Sequence, residues 1–381
     1  MKQLDFYNTL SKKNKVLFFY KKLILKHNKG ELFSLNKEVL VNNKSANICL
    51  FPSYIQPVMN TDNDFKVIKI SQKKIIGYSV LINNHTSIDA LLKTEYKKSF
   101  RSNILRFVNR FENCFDANYK MFFEHISKKE YNFLMDTLHQ MLTKRFNQRN
   151  DSNQFLQDWS NYLDTTYTQI KEKKASLFVI YNGTTPVHIC VNHHFNKILF
   201  VSIPSFDLDY SKFALGNISL YKLLEWCVNN NYMVMDMAYG YLEYKRRWSN
   251  HIYDFDHHII FNSKSLISHL ISFAEIKKIR AKNFLKTKNF DEKVKKIKNM
   301  LRKNSVFNEI AYKLEPCQIS NNTHLNQIDL DTPSYQKLKK PVFDFLFSNK
   351  EHINNISIYE ITKGKEYLLK TEQCTQKLSI V

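Results

Sequence analysis

The sequence predicts an α/β protein built on a mixed, largely antiparallel sheet flanked by helices. Three apolar runs follow one another at Ala175 to Tyr181, Val187 to His194 and Ile198 to Pro204. Asn182-Gly183 joins the first two, a dipeptide that favours the positive φ values of a tight hairpin turn. His194-Phe195-Asn196-Lys197 supplies the second turn. After a polar loop, Ser205 to Gly216, apolar residues recur at helical spacing at Ile218, Tyr221, Leu224, Trp226 and Val228. A fourth apolar run, Tyr232 to Ala238, leads into Gly240 and the segment Leu242 to Trp248. A meander feeding loop, helix and strand is a compact α/β unit. Free backbone N–H groups and the helix dipole converge at its loop-to-helix junction, which favours a phosphate-bearing ligand.

The remaining elements follow in order. Val16 to Leu25 is a short apolar segment in a basic beginning. Asn47 to Ile55, Phe65 to Ile70 and Ile75 to Ile82 read as strands of a small sheet. Thr86-Ser87 offers an N-cap for a helix through Leu92, and Tyr96 to Glu112 is a basic amphipathic helix. Tyr119 to Phe123 alternates as a strand does. Ser127-Lys128-Lys129-Glu130 is a capping box, opening a helix to about Arg145. A helix over Phe155 to Lys171 precedes the meander. From Ile276 to Lys303 twelve basic residues face only Asp291 and Glu292, on one or two helices. Gln318 to Pro333 reads as a polar linker. Pro341 to Phe347, with a hairpin at Lys363-Gly364, reads as a short helix and two strands of a small appended subdomain.

Bulk composition narrows the class. The chain has 381 residues, 43% hydrophobic and 14% aromatic, which builds cores and argues against global disorder. Its net charge of +22 favours anionic partners, with a Lys-rich composition as the alternative source of the charge. The six cysteines stand far apart in sequence, which fits reduced thiols in a cytoplasmic protein better than a metal site or a disulfide framework. The beginning of the chain lacks a signal-peptide pattern, and no run reaches membrane-spanning length without charges.

The stretch SIPSFDLDYSKFALGNISLYKLLEWCVNNNYMVMDMAYGYLEYKRRW resembles the acetyltransferase superfamily of GNAT fold, and within it the branch associated with cellulose and exopolysaccharide biosynthesis. The likeness rests on Ser205, Asp207, Tyr210, Gly216, Asp236, Tyr244, Lys245 and Trp248 in that order. It covers residues 174 to 261 and extends more loosely back to about 97. It implies a GNAT acyltransferase domain at 151–265 after a degenerate GNAT-like half at 1–150; it does not account for 266–381, which the residues themselves mark as a basic helical extension with an appended subdomain. It also implies acetyl-CoA or another acyl-CoA as co-substrate, with the pyrophosphate on Ala214, Leu215, Gly216 and Asn217. Only one glycine stands in Ser211 to Gly216, where the superfamily fingerprint has two. The related peptidoglycan aminoacyl transferases share the fold and use aminoacyl-tRNA, so that donor stays open, as does a non-catalytic basic nucleic-acid-binding role.

The resemblance implies an acceptor that is an amine or hydroxyl on a saccharide or envelope precursor. Ser205, Asp207, Tyr210, Asp236 and Trp248 are the expected substrate contacts. Transfer to an amine needs a base for the amine proton and an acid for the leaving thiolate. Glu243 and Tyr244 are the candidates, and Lys245 is placed to neutralise an anionic group. No nucleophile–base pair is evident, so direct attack in a ternary complex is expected. Asp236, inside an apolar run, needs a partner, and Lys245 or Arg247 is the obvious kind. His188, His193 and His194 share one strand and His257-His258 another; alternation sends His193 and His194 to opposite faces, so one could face the cleft, but structural roles are the default for all five, and no metal is expected. The basic segment 276–303 reads first as a solvated helix packed on the core by Val294, Ile297 and Leu301, and its functional readings are an anionic membrane surface, at the inner face of the membrane, or tRNA.

Overall fold

The computed structural model describes residues 1–35, 45–60, 64–83, 85–149, 154–288, 311–317 and 326–381. In chain order its first elements are β1 (Lys2–Asp5), α1 (Phe6–Ser11), β2 (Tyr20–Leu25), β3 (Glu31–Ser34), β4 (Ala46–Pro52), β5 (Ile55–Met59) and β6 (Phe65–Leu81). Then come α2 (Ile88–Glu95), α3 (Lys98–Cys114), β7 (Ala117–Phe122), α4 (Lys128–Arg149), α5 (Gln154–Gln157) and α6 (Trp159–Lys171). The meander is β8 (Ala175–Asn182), β9 (Thr185–Phe195) and β10 (Ile198–Phe206), followed by α7 (Leu215–Asn229), β11 (Val234–Tyr239), α8 (Glu243–Trp248), β12 (His251–Asn262) and α9 (Leu266–Thr287). The last elements are β13 (Tyr312–Pro316), β14 (Asn326–Gln327), α10 (Lys339–Asn349), β15 (Ser357–Thr362), β16 (Glu366–Lys370) and β17 (Thr375–Ile380).

One nine-stranded sheet organises the molecule, in the order β1-β4-β12-β6-β11-β10-β9-β8-β7. Its neighbours are antiparallel except β1 with β4 and β10 with β11. The hairpin signals read from the sequence place two turns of the meander. Gly183 takes φ +57 between β8 and β9, and Asn196 takes φ +49 between β9 and β10. The helix signals hold as well. Ser87 Oγ accepts from the Ala90 N–H at 3.2 Å and Ser127 Oγ from the Glu130 N–H at 3.1 Å.

The segments read as a small N-terminal sheet divide differently. Phe65 to Ile70 and Ile75 to Ile82 belong to one long strand, β6, because Lys74 absorbs an irregularity at φ +59 instead of ending the strand. Strands β4 and β6 join the main sheet, while β2, β3 and β5 form a separate three-stranded sheet. The appended C-terminal strands form a five-stranded sheet, and its hairpin turns at Gly364, φ +71. Helix α10 fastens this part to the core. Its Phe343 ring lies 4.6 Å from Tyr210 and 5.1 Å from Phe115, and Phe347 lies 5.2 Å from Phe213. Of the basic segment, residues 276–287 lie in α9, and 289–303 fall outside the described residues, as do 318–325 of the polar linker.

Candidate functional site

Strands β10 and β11 pair only over Ile198 to Phe200 and Val234 to Asp236. Past that point β10 bulges between Val201 and Ile203, and β11 turns at Ala238, φ +61. The two strands part, and a cleft of about 470 Å³ opens between them. Ser202, Pro204 and Phe206 of β10 line one side, and Met237 to Tyr239 of β11 the other. Tyr244 and Lys245 come from α8, Tyr7 and Lys12 from the first turns of the chain, Arg145 from α4 and His188 from β9.

Helix α7 begins at the edge of this cleft. A 3₁₀ turn, Leu208–Phe213, leads into it, and Ala214 joins the two at φ +55, ψ 41. A left-handed conformation at a residue with a Cβ costs about 1 kcal/mol or more, and such strain concentrates at binding sites. Ala214 supplies no side-chain cap. The first N–H groups of a helix have no partner within it, and Leu215 and Gly216, which carry them, line the cleft. A Cβ added at Gly216 would meet no atom within 4 Å, so a ligand has free approach to this backbone. All four residues from Ala214 to Asn217 border the cleft.

Asp236 lies beneath the cleft and is fully buried. Its carboxylate accepts from the hydroxyls of Tyr7 at 2.8 Å, Tyr54 at 2.8 Å and Tyr253 at 2.7 Å, and from the Ala238 N–H at 2.7 Å. Burial pushes its pKa above the ordinary carboxylate value, and the four donors pull against that shift. The partner expected from sequence, Lys245 or Arg247, is replaced by these tyrosines. Gly77 makes the arrangement possible: a Cβ there would sit 2.2 Å from the Tyr253 ring. Lys245 instead donates to the Tyr239 carbonyl at 3.0 Å. Its burial lowers the ammonium pKa to about 8, against the pull of Asp236.

The other residues singled out from sequence fall into two groups. Tyr244 lines the cleft, and desolvation raises its hydroxyl pKa. Glu243 does not line it; its carboxylate takes the Tyr241 hydroxyl at 3.1 Å and the Arg247 Nε at 3.5 Å on the exposed side of α8. Ser205 is buried on the strand face opposite to Pro204 and Phe206. Asp207 caps the 3₁₀ turn, accepting from the Asp209 N–H at 3.2 Å. Tyr210 accepts from Asn182 Nδ2 at 3.1 Å and packs on Phe343. Trp248 is fully buried against Tyr96 and Phe100, and its Nε1 donates to Asn217 Oδ1 at 3.0 Å. Asp207, Tyr210 and Trp248 therefore shape the loop and hold α7, Ser205 is buried within β10, and none of the four lines the cleft.

The cleft also contains His188, for which a structural role is the expectation from sequence, and Arg145, for which no role is expected. His188 is fully buried, lines it, and has both ring nitrogens without a hydrogen-bond partner among the described residues. Phe206 lies directly across the strand pair from His188, and the Arg145 guanidinium sits over the Phe206 ring at 5.0 Å. Burial and this cation lower the imidazole pKa to about 3, so His188 is neutral. The other meander histidines are satisfied structurally: His193 bonds Ser202 at 2.8 Å, and His194 bonds Tyr232 and Ser176, each at 2.8 Å. Only the strand register separates the three. Among the described residues no group of three or more side chains could hold a metal ion.

These histidines give a pH prediction. His188, His193, His194 and His258 are all buried with pKa values near 3, lowered by desolvation. A depressed histidine pKa contributes stability that is full above the unfolded value, about 6.5, and is lost as pH falls below it. Each adds a slope of up to about 1.4 kcal/mol per pH unit, so the four give at most about 5.5. Thermal melts should be flat from pH 8 to 7 and drop steeply between pH 6.5 and 5. A melting temperature unchanged down to pH 5 would mean that these rings are protonated in the fold.

Comparison with known proteins agrees with this geometry. A family model described as an acetyltransferase (GNAT) domain matches residues 98–246, so a GNAT-type domain, a transferase fold, occupies that span. No curated protein matches the chain. Among solved structures, a conserved protein of unknown function from Bacteroides thetaiotaomicron is similar at 13% identity and a TM-score of 0.40, covering 56% of this chain and 69% of that one. FemX is similar at 9% and 0.41, covering 60% and 74%. The C-terminal domain of a putative lysylphosphatidylglycerol synthetase from Agrobacterium fabrum is similar at 8% and 0.37, covering 56% and 67%. None of these three likenesses bears on what the cleft binds.

Proposed function

We propose that the protein transfers an acyl group from acyl-CoA directly to an amine or hydroxyl of a saccharide or cell-envelope precursor. The observation that carries this reading is the uncapped N-terminus of α7, open to a cleft made by two parting parallel strands. The N–H groups of Leu215 and Gly216 and the positive end of the helix dipole suit a pyrophosphate. The thioester would lie between β10 and β11. The acceptor atom would attack the thioester carbonyl, forming the new C–N or C–O bond as the C–S bond breaks.

Lys245 is suited to take the acceptor's proton. A base works best with a pKa near the working pH, and its burial brings the ammonium to about 8. Tyr244 is suited to protonate the departing thiolate, because it is a hydroxyl-bearing side chain lining the same cleft, as Tyr7 is. His188 and Arg145 stand at the acceptor end in this proposal. A neutral imidazole with two unused nitrogens offers one donor and one acceptor, and the guanidinium beside it favours an acceptor that carries negative charge.

Gly216→Val tests the donor placement. The added side chain meets no protein atom at its Cβ, so the variant should fold normally. It should weaken acetyl-CoA binding more than about tenfold, roughly 1.4 kcal/mol, by covering the N–H groups. Calorimetry decides it, and unchanged affinity in the folded variant would remove the donor from this loop.

A further inference from the structure

Helix α9 presents an apolar face to solvent. Its inner side packs on β12 and β6 through Ile276 and Ile279. Asn283 also fastens it, donating to the Ser71 carbonyl at 2.8 Å. Its outer side shows Leu266, 82% exposed, Leu270, 71%, and Phe273, 61%, with Phe284 at 62%. At 3.6 residues per turn these four fall within about 60° of arc, and Ile267, Ile271 and Leu285 widen the strip. Isolated exposed apolar residues are ordinary, but the patch that Leu266, Ile267, Leu270, Ile271 and Phe273 make over the first two turns marks an interaction surface, with Phe284 and Leu285 beyond Lys277 on the same side.

Charge selects the occupant. Within Leu266 to Lys288 there are six cationic side chains, Lys277, Lys278, Arg280, Lys282, Lys286 and Lys288, against one acid, Glu275. Glu275 is engaged, accepting from Asn47 Nδ2 at 2.8 Å. Lys277 and Lys288 lie over the rings of Phe273 and Phe284, at 5.2 and 5.8 Å, so cations and apolar groups share one side. RNA would use the lysines and stack bases on the phenylalanines, but leave the leucines and isoleucines in water. A second copy of the helix would cover the apolar groups but set two cationic rows against each other. A bilayer interface with anionic headgroups satisfies both, since apolar side chains enter the acyl boundary while lysine stems reach up to the phosphates.

We propose that α9 docks the protein on an anionic lipid surface, lying in the plane of the interface. This does not rest on the choice of acyl donor, and Gly216→Val should leave it unchanged.

The test is co-sedimentation of the full chain with vesicles of phosphatidylcholine alone and of equimolar phosphatidylcholine and phosphatidylglycerol. The anionic vesicles should take the chain down, with at least about tenfold more bound than on phosphatidylcholine. Leu270→Glu with Phe273→Glu should lose about tenfold of that binding at an unchanged melting temperature, because both side chains are exposed. Lys277→Glu with Lys278→Glu should weaken binding and blunt its salt dependence. Failure of the chain to bind anionic vesicles overturns the proposal, as does full binding by the double glutamate variant. Retention of tRNA without vesicle binding assigns the charge to nucleic acid. A dimer in light scattering that the glutamate variant makes monomeric, without vesicle binding, assigns the face to a second copy.

Discussion

Asp236→Ala should destabilise the protein by about 4 kcal/mol, because it strands buried hydroxyl donors whose acceptor is gone. Tyr7, Tyr54 and Tyr253 are all buried and all donate to this carboxylate. Each orphaned hydroxyl then carries a desolvation cost of about 1 kcal/mol or more. The account makes a sharper claim as well. Adding Tyr54→Phe to Asp236→Ala should recover about 1 kcal/mol, since it deletes one of the stranded donors. Urea unfolding of the two variants measures both quantities. A loss below about 1 kcal/mol for Asp236→Ala would show that the tyrosines find other partners.

Trp248→Ala should cost a similar amount, about 3 to 5 kcal/mol, as removal of a fully buried indole leaves a large cavity. Trp248→Phe separates packing from hydrogen bonding. It keeps most of the contact with Tyr96 and Phe100 but removes the Nε1 donor to Asn217 Oδ1. That loss should cost about 1 to 2 kcal/mol. It should also loosen the first turn of α7, where Asn217 sits, and so weaken donor binding. If Trp248→Phe kept full stability while only acceptor recognition fell, the indole would be a substrate contact after all.

Much of the architecture was legible because its signals are local. Asn182-Gly183 announced a turn that only positive φ allows, and Ser87 and Ser127 announced caps that accept the expected N–H groups. The apolar spacing in Ile218 to Val228 announced α7, whose start at Ala214 bounds the cleft. The long-range parts were not legible. Nothing near Asp236 in sequence names Tyr7 or Tyr54, which lie 229 and 182 residues away; sheet order brings them there. A basic residue was expected because the cations Lys245 and Arg247 follow within a dozen residues along the chain. Ser205, Asp207, Tyr210 and Trp248 drew attention by their pattern, yet a pattern records what shapes a loop as readily as what touches a ligand. His188 was hidden among three histidines of one strand until register set it opposite Phe206 and beside the cleft.

Acyl-CoA as the donor is the central claim, and ligand-dependent melting of the wild-type chain tests it most directly. Acetyl-CoA at about one hundred times its dissociation constant should add about 2.7 kcal/mol of stability, and the melting temperature should rise and saturate with concentration, while tRNA at equal concentration should give no comparable rise. Stabilisation by tRNA with no response to acetyl-CoA would contradict the account and make the cleft an aminoacyl-tRNA site.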